Sequence, residues 1–258
     1  MSFDVSGIPV PNLTKPTKEV PKYSCGECGN GHERVTKIIG KSIVKDAIPF
    51  WSEKIGRESM FTVLKDNPDL SFDDAKTLIK KSGLDTKGQS EVAMDRGSQI
   101  HNWLEMVGNG VECNEPPFEG YVEQAKRFLD DFQVETLKTE FQVANCDMQF
   151  AGTVDGIARI GKQPPRRNRQ YDLTDKLVLF DFKTNKAGRT YVPSHSLQLQ
   201  CYLQALQWSL EHRVDGPTQQ GPELGLLVGI GEESYSTRVV EADGAAVKAL
   251  LDFYRVIV

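Results

Sequence analysis

Two charged residues, Asp181 and Lys183, close the segment KLVLFDFKT with one residue between them. The run before Asp181 is densely apolar, so it reads as a central buried strand rather than an edge. Side chains alternate along a strand, which sends both charges out on one face. A buried strand that ends on charges needs a compensating partner. Asp155, in GTVDG, offers a second carboxylate late in an expected neighbouring strand. Two carboxylates and an ammonium at adjoining strand ends suit a hard divalent cation, Mg2+ or Mn2+, which takes oxygen ligands. Phosphodiester hydrolysis uses such equipment. One ion acidifies a water and offsets phosphate charge, and a second can stabilise the leaving oxygen. Lys183 could orient the attacking water or stabilise charge at phosphorus. Asp and Lys at this spacing are also common on solvated strand ends, so the surroundings must decide.

The elements that would position these residues follow from the periodicity. Residues 1–35 are rich in Pro, Gly, Lys and Ser and read as an extended arm or a small zinc element. From 36 to 135 the spacing is helical. Ser71 and Asp74 form a capping box, and Gly83 ends that helix. Further helices are expected at about 92–107 and through YVEQAKRFLDDF. From 136 to 258 the period shortens. Two strands joined by a turn at 145–147 precede the KLVLFDFKT strand. The helix SLQLQCYLQALQWSL, two more strands and a closing helix follow. The expected fold is α/β: a mixed central sheet flanked by helices, with a helical N-terminal lobe.

Three further pieces fall in line. His101 and Glu105, in RGSQIHNWLE, are four apart and share a helix face. Glu140 lies on a strand upstream of Asp155; alone it reads as an exposed strand carboxylate. Gln198 and Tyr202 are four apart, so both can point back at the strand end bearing Asp181.

Together these residues resemble the PD-(D/E)XK nuclease superfamily, in its RecB-type exonuclease branch. The resemblance runs through RG-x3-H (Arg96, Gly97, His101), Glu140, G-x2-D (Gly152, Asp155), D-x-K (Asp181, Lys183) and Q-x3-Y (Gln198, Tyr202), in that order. It covers about 35–258 and is similar in feel to phage recombination and CRISPR-associated exonucleases. It implies a restriction-endonuclease-like core. Asp155, Asp181, His101 and the backbone carbonyl of Phe182 would hold one or two Mg2+ or Mn2+ ions. Lys183 would be the catalytic lysine. Gln198 and Tyr202 would contact DNA or hold that lysine, with Glu140 in support. The expected activity is a DNA exonuclease of recombination, repair or replication. An endonuclease on the same core and a non-catalytic DNA-end-binding module remain open alternatives. DNA is the expected partner, with a recombination, annealing or helicase protein as a further one. Some members of the branch hold an iron–sulfur cluster through one early and three late cysteines. No cysteine follows Cys201 here, so no such cluster is expected.

The five cysteines are an odd number in a chain of ordinary composition, so a disulfide framework is not expected. Cys25 and Cys28, followed by His32, have the spacing of half a zinc site, which Cys113 or Cys146 could complete. Lys186 and Arg189, just past Lys183, are placed for phosphate contact, and Arg166, Arg167 and Arg169 sit in a basic loop. Trp51 and Trp103 read as core. The net charge of −5 argues against a chain that coats itself in nucleic acid, but not against a local basic groove around metal-holding carboxylates. The first residues lack the pattern of a secretory signal, and no apolar run approaches the ~20 residues of a membrane span. The expectation is a cytoplasmic protein, of a bacterium or a phage-infected host.

Overall fold

The computed structural model describes residues 11–43, 47–111, 118–164, 170–190, 192–212 and 221–258. The chain divides into a larger unit, 1–43 with 100–258, and a smaller one, 44–99.

The smaller unit is helical. It contains α2 (Ala47–Asp66), α3 (Phe72–Lys81) and the first part of α4 (Thr86–Gly108). Helix α1 (Val35–Ser42) precedes it. Ser71 caps α3 by accepting from the Asp74 amide, and Gly83 takes the left-handed conformation just past its end. Val63, Ala75 and Ile79 form the buried centre of this unit. Trp51, expected in the core, is exposed. It lies on a helix whose apolar positions scatter around the axis, so no single face claims it.

Among the described residues, the larger unit is an α/β arrangement around one mixed, eight-stranded sheet. Its strands are β1 (Leu13–Thr14), β2 (Tyr23–Cys25), β3 (Gly31–Arg34), β4 (Val134–Asn145), β5 (Phe150–Ile160), β6 (Lys176–Thr184), β7 (Leu224–Ile230) and β8 (Tyr235–Glu241). The remaining helices are α5 (Glu119–Phe132), α6 (Pro193–Glu211) and α7 (Gly244–Ile257). Residues 11–34, expected within an extended arm or a small zinc element, form the three short strands β1–β3, joined to the main sheet through β3 and β5. Strands of two to four residues are too short to show a period in the sequence.

Period two in β6 and β7 sorts the core into two layers. Leu179 and Leu227 pack with α1, α6 and α7 on one face. Phe180, Phe182, Leu226 and Val228 pack with α5 and the end of α4 on the other. Trp103 belongs to this second layer and is buried. Helices therefore cover both faces, which is why β6 and β7 read as continuous apolar runs.

The pairing of β5 positions the charged residues. Strand β4 runs antiparallel to it over its whole length and occupies one edge. The other edge is divided. Residues 156–160 pair with β6, and Phe150 and Ala151 pair in parallel with β3. Between these two partners, 152–155 face a gap in the ladder.

A carboxylate cluster at a divided strand edge

The ladder between β5 and β6 ends at Gly156↔Phe180, and the next opposed positions are Asp155 and Asp181. Beyond this point β6 continues only along β7, which pairs with it through Thr184. Asp155 and Asp181 thus stand where two strands part. In place of a ladder bond, the Phe182 amide donates to Asp155 Oδ2 at 2.6 Å. The N–H and C=O of one strand residue leave on the same edge, so the Phe182 carbonyl also faces the gap. Asp181 and Lys183 share the strand face of Leu179, toward α6.

Each charge has named neighbours. Lys183 Nζ lies 2.6 Å from Asp181 Oδ2. His101 Nδ1, on α4, lies 3.5 Å from Asp155 Oδ2, and its ring meets the edge of Phe182. Glu140 stands opposite Asp155 on β4, between the pairs Thr139↔Gly156 and Phe141↔Val154. Its φ of 44° puts it in the left-handed region, uncommon for a glutamate and costly by roughly 1 kcal/mol or more. His101, Glu140 and Asp155 each offer a ligand atom within 4.8 Å of the others. Together with Glu105 and Phe182 they line one cleft.

No family model matches this chain, and no curated protein matches it. Among solved structures it is similar to one titled "Crystal structure of SSO0001", at 16% identity and a TM-score of 0.32. That match covers 53% of this chain and spans 56% of the other. A likeness of that extent carries no inference about fold or function, and the cluster stands on its own geometry.

Its electrostatics are those of an acid-rich pocket short of positive charge. Burial pushes the Asp181 carboxyl up to about 6, with the Asp155 charge adding to the rise and Lys183 opposing it. Burial also raises Glu140, helped by the charges of Asp155 and Glu105. Asp155 goes the other way. Burial would raise it, but His101, Lys183 and the Phe182 amide hold it below its ordinary value. The carboxylates in turn hold His101 and Lys183 above theirs, against burial. Asp181 Oδ2, fully buried, touches Lys183 without an aligned hydrogen bond. A carboxylate that favours a proton this strongly gains from any cation that replaces it. The donor set of carboxylates with one imidazole suits a hard or borderline divalent ion. The residues present therefore fit such an ion.

The supporting residues are placed unevenly. Gln198 Nε2 donates to the Tyr202 hydroxyl at 3.0 Å. The Tyr202 ring is buried under β5, where Gly152 gives it room; a Cβ at Gly152 would collide with the ring. Burial holds the Tyr202 hydroxyl well above its ordinary pKa, and the Asp181 charge adds to the effect. Lys186 and Arg189 are exposed on the turn after β6. Asn185 closes that turn by bonding both backbone groups of Arg189. Arg96 and Gly97 belong to the smaller unit. Arg166, Arg167, Arg169 and Cys113 lie outside the described residues.

One contributor was not marked as a site residue by sequence, Glu105, and one of the two cysteines expected to complete the Cys25–His32 half-site, Cys146, is brought to it. Glu105 lines the cleft, and its spacing of four from His101 was the available signal. Cys146, in the turn between β4 and β5, lies beside Cys25, Cys28 and His32. This second cluster could also hold a metal ion, with a quite different donor set. No helix among the described residues is long and apolar enough to cross a membrane.

Proposed function

We propose that this chain is a divalent-metal-dependent DNA nuclease on a PD-(D/E)XK-type core, hydrolysing phosphodiester bonds, with Mg2+ or Mn2+ as its ion. One observation carries the reading. Asp155 and Asp181 stand at opposed positions where β5 and β6 part, with His101 and Glu140 beside Asp155 and Lys183 on Asp181.

Asp155, Glu140, His101, Asp181 and the Phe182 carbonyl are the groups that would hold the ion. Bound there, it would lower the pKa of a water and offset the charge of the scissile phosphate. The chain's own residues do the rest. Lys183 is held protonated by Asp181 and Asp155, so it serves as a fixed positive charge for the phosphate or a donor that orients the attacking water. The Phe182 amide and His101 fix the Asp155 carboxylate. Tyr202, with Gln198 on its hydroxyl, packs beneath β5 and supports the strand that bears Asp155. The exposed cations Lys186 and Arg189 lie on the turn just past Lys183, where a phosphate backbone would run. Action from DNA ends, in recombination, repair or replication, is the mode that the resemblance to the RecB-type branch implies.

The test is digestion of end-labelled linear duplex and single strand with Mn2+, comparing the wild-type chain with Asp181→Ala. Wild type is expected to cleave. The variant is expected to be inert while keeping its circular dichroism and melting transition. A closed circle, spared by wild type, would assign cleavage to ends. Unchanged cleavage by a folded Asp181→Ala protein would remove Asp181 from the centre, and the reading with it.

A further inference from the structure

We propose that Cys25, Cys28, His32 and Cys146 bind one zinc ion, and that this ion staples the β2–β3 hairpin to the turn between β4 and β5. The inference is independent of the nuclease reading.

The four residues come from three places. Cys25 ends β2, Cys28 lies in the turn after it, and His32 is on β3. Cys146 arrives from more than a hundred residues away. Their ligand atoms all lie within 4.8 Å of one another. Tetrahedral zinc, with Zn–S of about 2.3 Å and Zn–N of about 2.0 Å, requires S···S edges near ~3.8 Å and S···N edges near ~3.5 Å. Cys25 Sγ and Cys146 Sγ are 3.8 Å apart. His32 Nε2 lies 3.3 Å from Cys28 Sγ and 3.7 Å from Cys146 Sγ. These three distances match edges of a tetrahedron of that size, and the other three lie within 4.8 Å.

A disulfide between Cys25 and Cys146 would need the sulfurs at about 2.05 Å and would leave the convergence of Cys28 and His32 unexplained. The imidazole of His32 has no solvent exposure at all, and Cys25 is nearly as buried. Three sulfurs and a nitrogen form a soft set, which selects zinc over magnesium. On binding, any thiol still protonated releases its proton to solvent, leaving three thiolates and a neutral imidazole on the ion. With four protein ligands the shell is closed, so the ion is structural.

The fold supplies the need. Strands β1–β3 hold nine residues in all, and the apolar cluster beneath them consists of Tyr23, Ala144, Ala151 and Leu13. That is too little buried surface to hold three short strands in place, the usual circumstance of a metal staple. The turn it grips leads into β5 at Phe150, five residues before Asp155.

The test is metal analysis of the full chain, purified under reducing conditions from medium containing both zinc and iron. Wild type is expected to carry one zinc per chain. Cobalt exchanged into the site is expected to show the visible absorption of a tetrahedral thiolate complex. Cys146→Ser should lose the zinc by roughly tenfold or more, since a three-ligand remnant binds far more weakly. Cys146→His should restore it, because Cys2His2 is an equally good set. Cys201→Ser, in α6, should bind as wild type does. If Cys146→Ser fails to fold, rescue by Cys146→His still separates ligation from thiol packing. Wild type that carries no zinc and takes up none, wild type loaded with iron, or Cys146→Ser with full zinc would each overturn the proposal.

Discussion

Asp181→Asn should make the metal-free protein more stable while destroying its activity. The ordinary pKa of this carboxyl is 3.8, and burial lifts it to about 6. At about 1.4 kcal/mol per unit, the ionised form is disfavoured in the fold by roughly 3 kcal/mol. Asparagine keeps the shape and removes that cost. It also takes a counter-charge from Lys183, which then relies on Asp155 alone. The net gain is therefore about 1–3 kcal/mol, or roughly 3–9 °C in Tm for a chain of this size. The sign with pH is set by the raised value. Between about 6 and 3.8 the folded state binds more protons than the unfolded one, so wild-type stability from this group rises as pH falls. The advantage of the variant is full above about pH 6 and closes as pH approaches 3.8. Thermal melts in chelator at about pH 7 and about pH 4.5 measure both points. Added Mn2+ should then favour wild type, because the ion stabilises only the chain that can hold it. An Asp181→Asn protein that melts at or below wild type at neutral pH in chelator would refute the electrostatic reasoning.

Two further outcomes test neighbouring features. Glu140→Gly removes a side chain from a left-handed position and a carboxylate from an acid-rich cleft. It should raise the chelator Tm by an amount corresponding to about 1 kcal/mol and lower the affinity for Mn2+, both readable in one melting titration. Gly152→Val drives a side chain into the Tyr202 ring, and should cost about 1–3 kcal/mol in urea denaturation. Tyr202→Leu in the same chain should recover part of that loss, whereas an additive double variant would show that the two residues do not meet.

The legible parts of this chain were those where one element carries its own signal. Strand β6 announced itself by a dense apolar run ending on Asp181 and Lys183, and that density reflects helices on both of its faces. The caps of α3 were readable because Ser71, Asp74 and Gly83 act at the ends of a single short helix. What was hidden depends on contacts distant in sequence or on backbone shape. Cys113 and Cys146 were equal candidates to join Cys25, Cys28 and His32, because no short spacing links either to them, and only the fold brings Cys146 there. The positive φ of Glu140 leaves no mark in a residue type that rarely adopts it. The division into two units falls inside one continuous helix, α4, where composition does not change. Strands β1–β3 draw their order from β5 and the turn before it, not from a pattern of their own.

The divided edge of β5 has a mechanical consequence. Elsewhere in the sheet, neighbouring strands are locked by ladder bonds, and changing their separation means breaking several at once. Along 152–155 that lock is missing toward β6, and one amide-to-carboxylate bond, Phe182 to Asp155, bridges the space. The two strands bearing the acids can thus spread or shear by fractions of an ångström at the cost of one contact. The stiff pairs on either side confine the give to those few residues. The spacing between Asp155 and Asp181 is a compliant joint set inside a rigid frame.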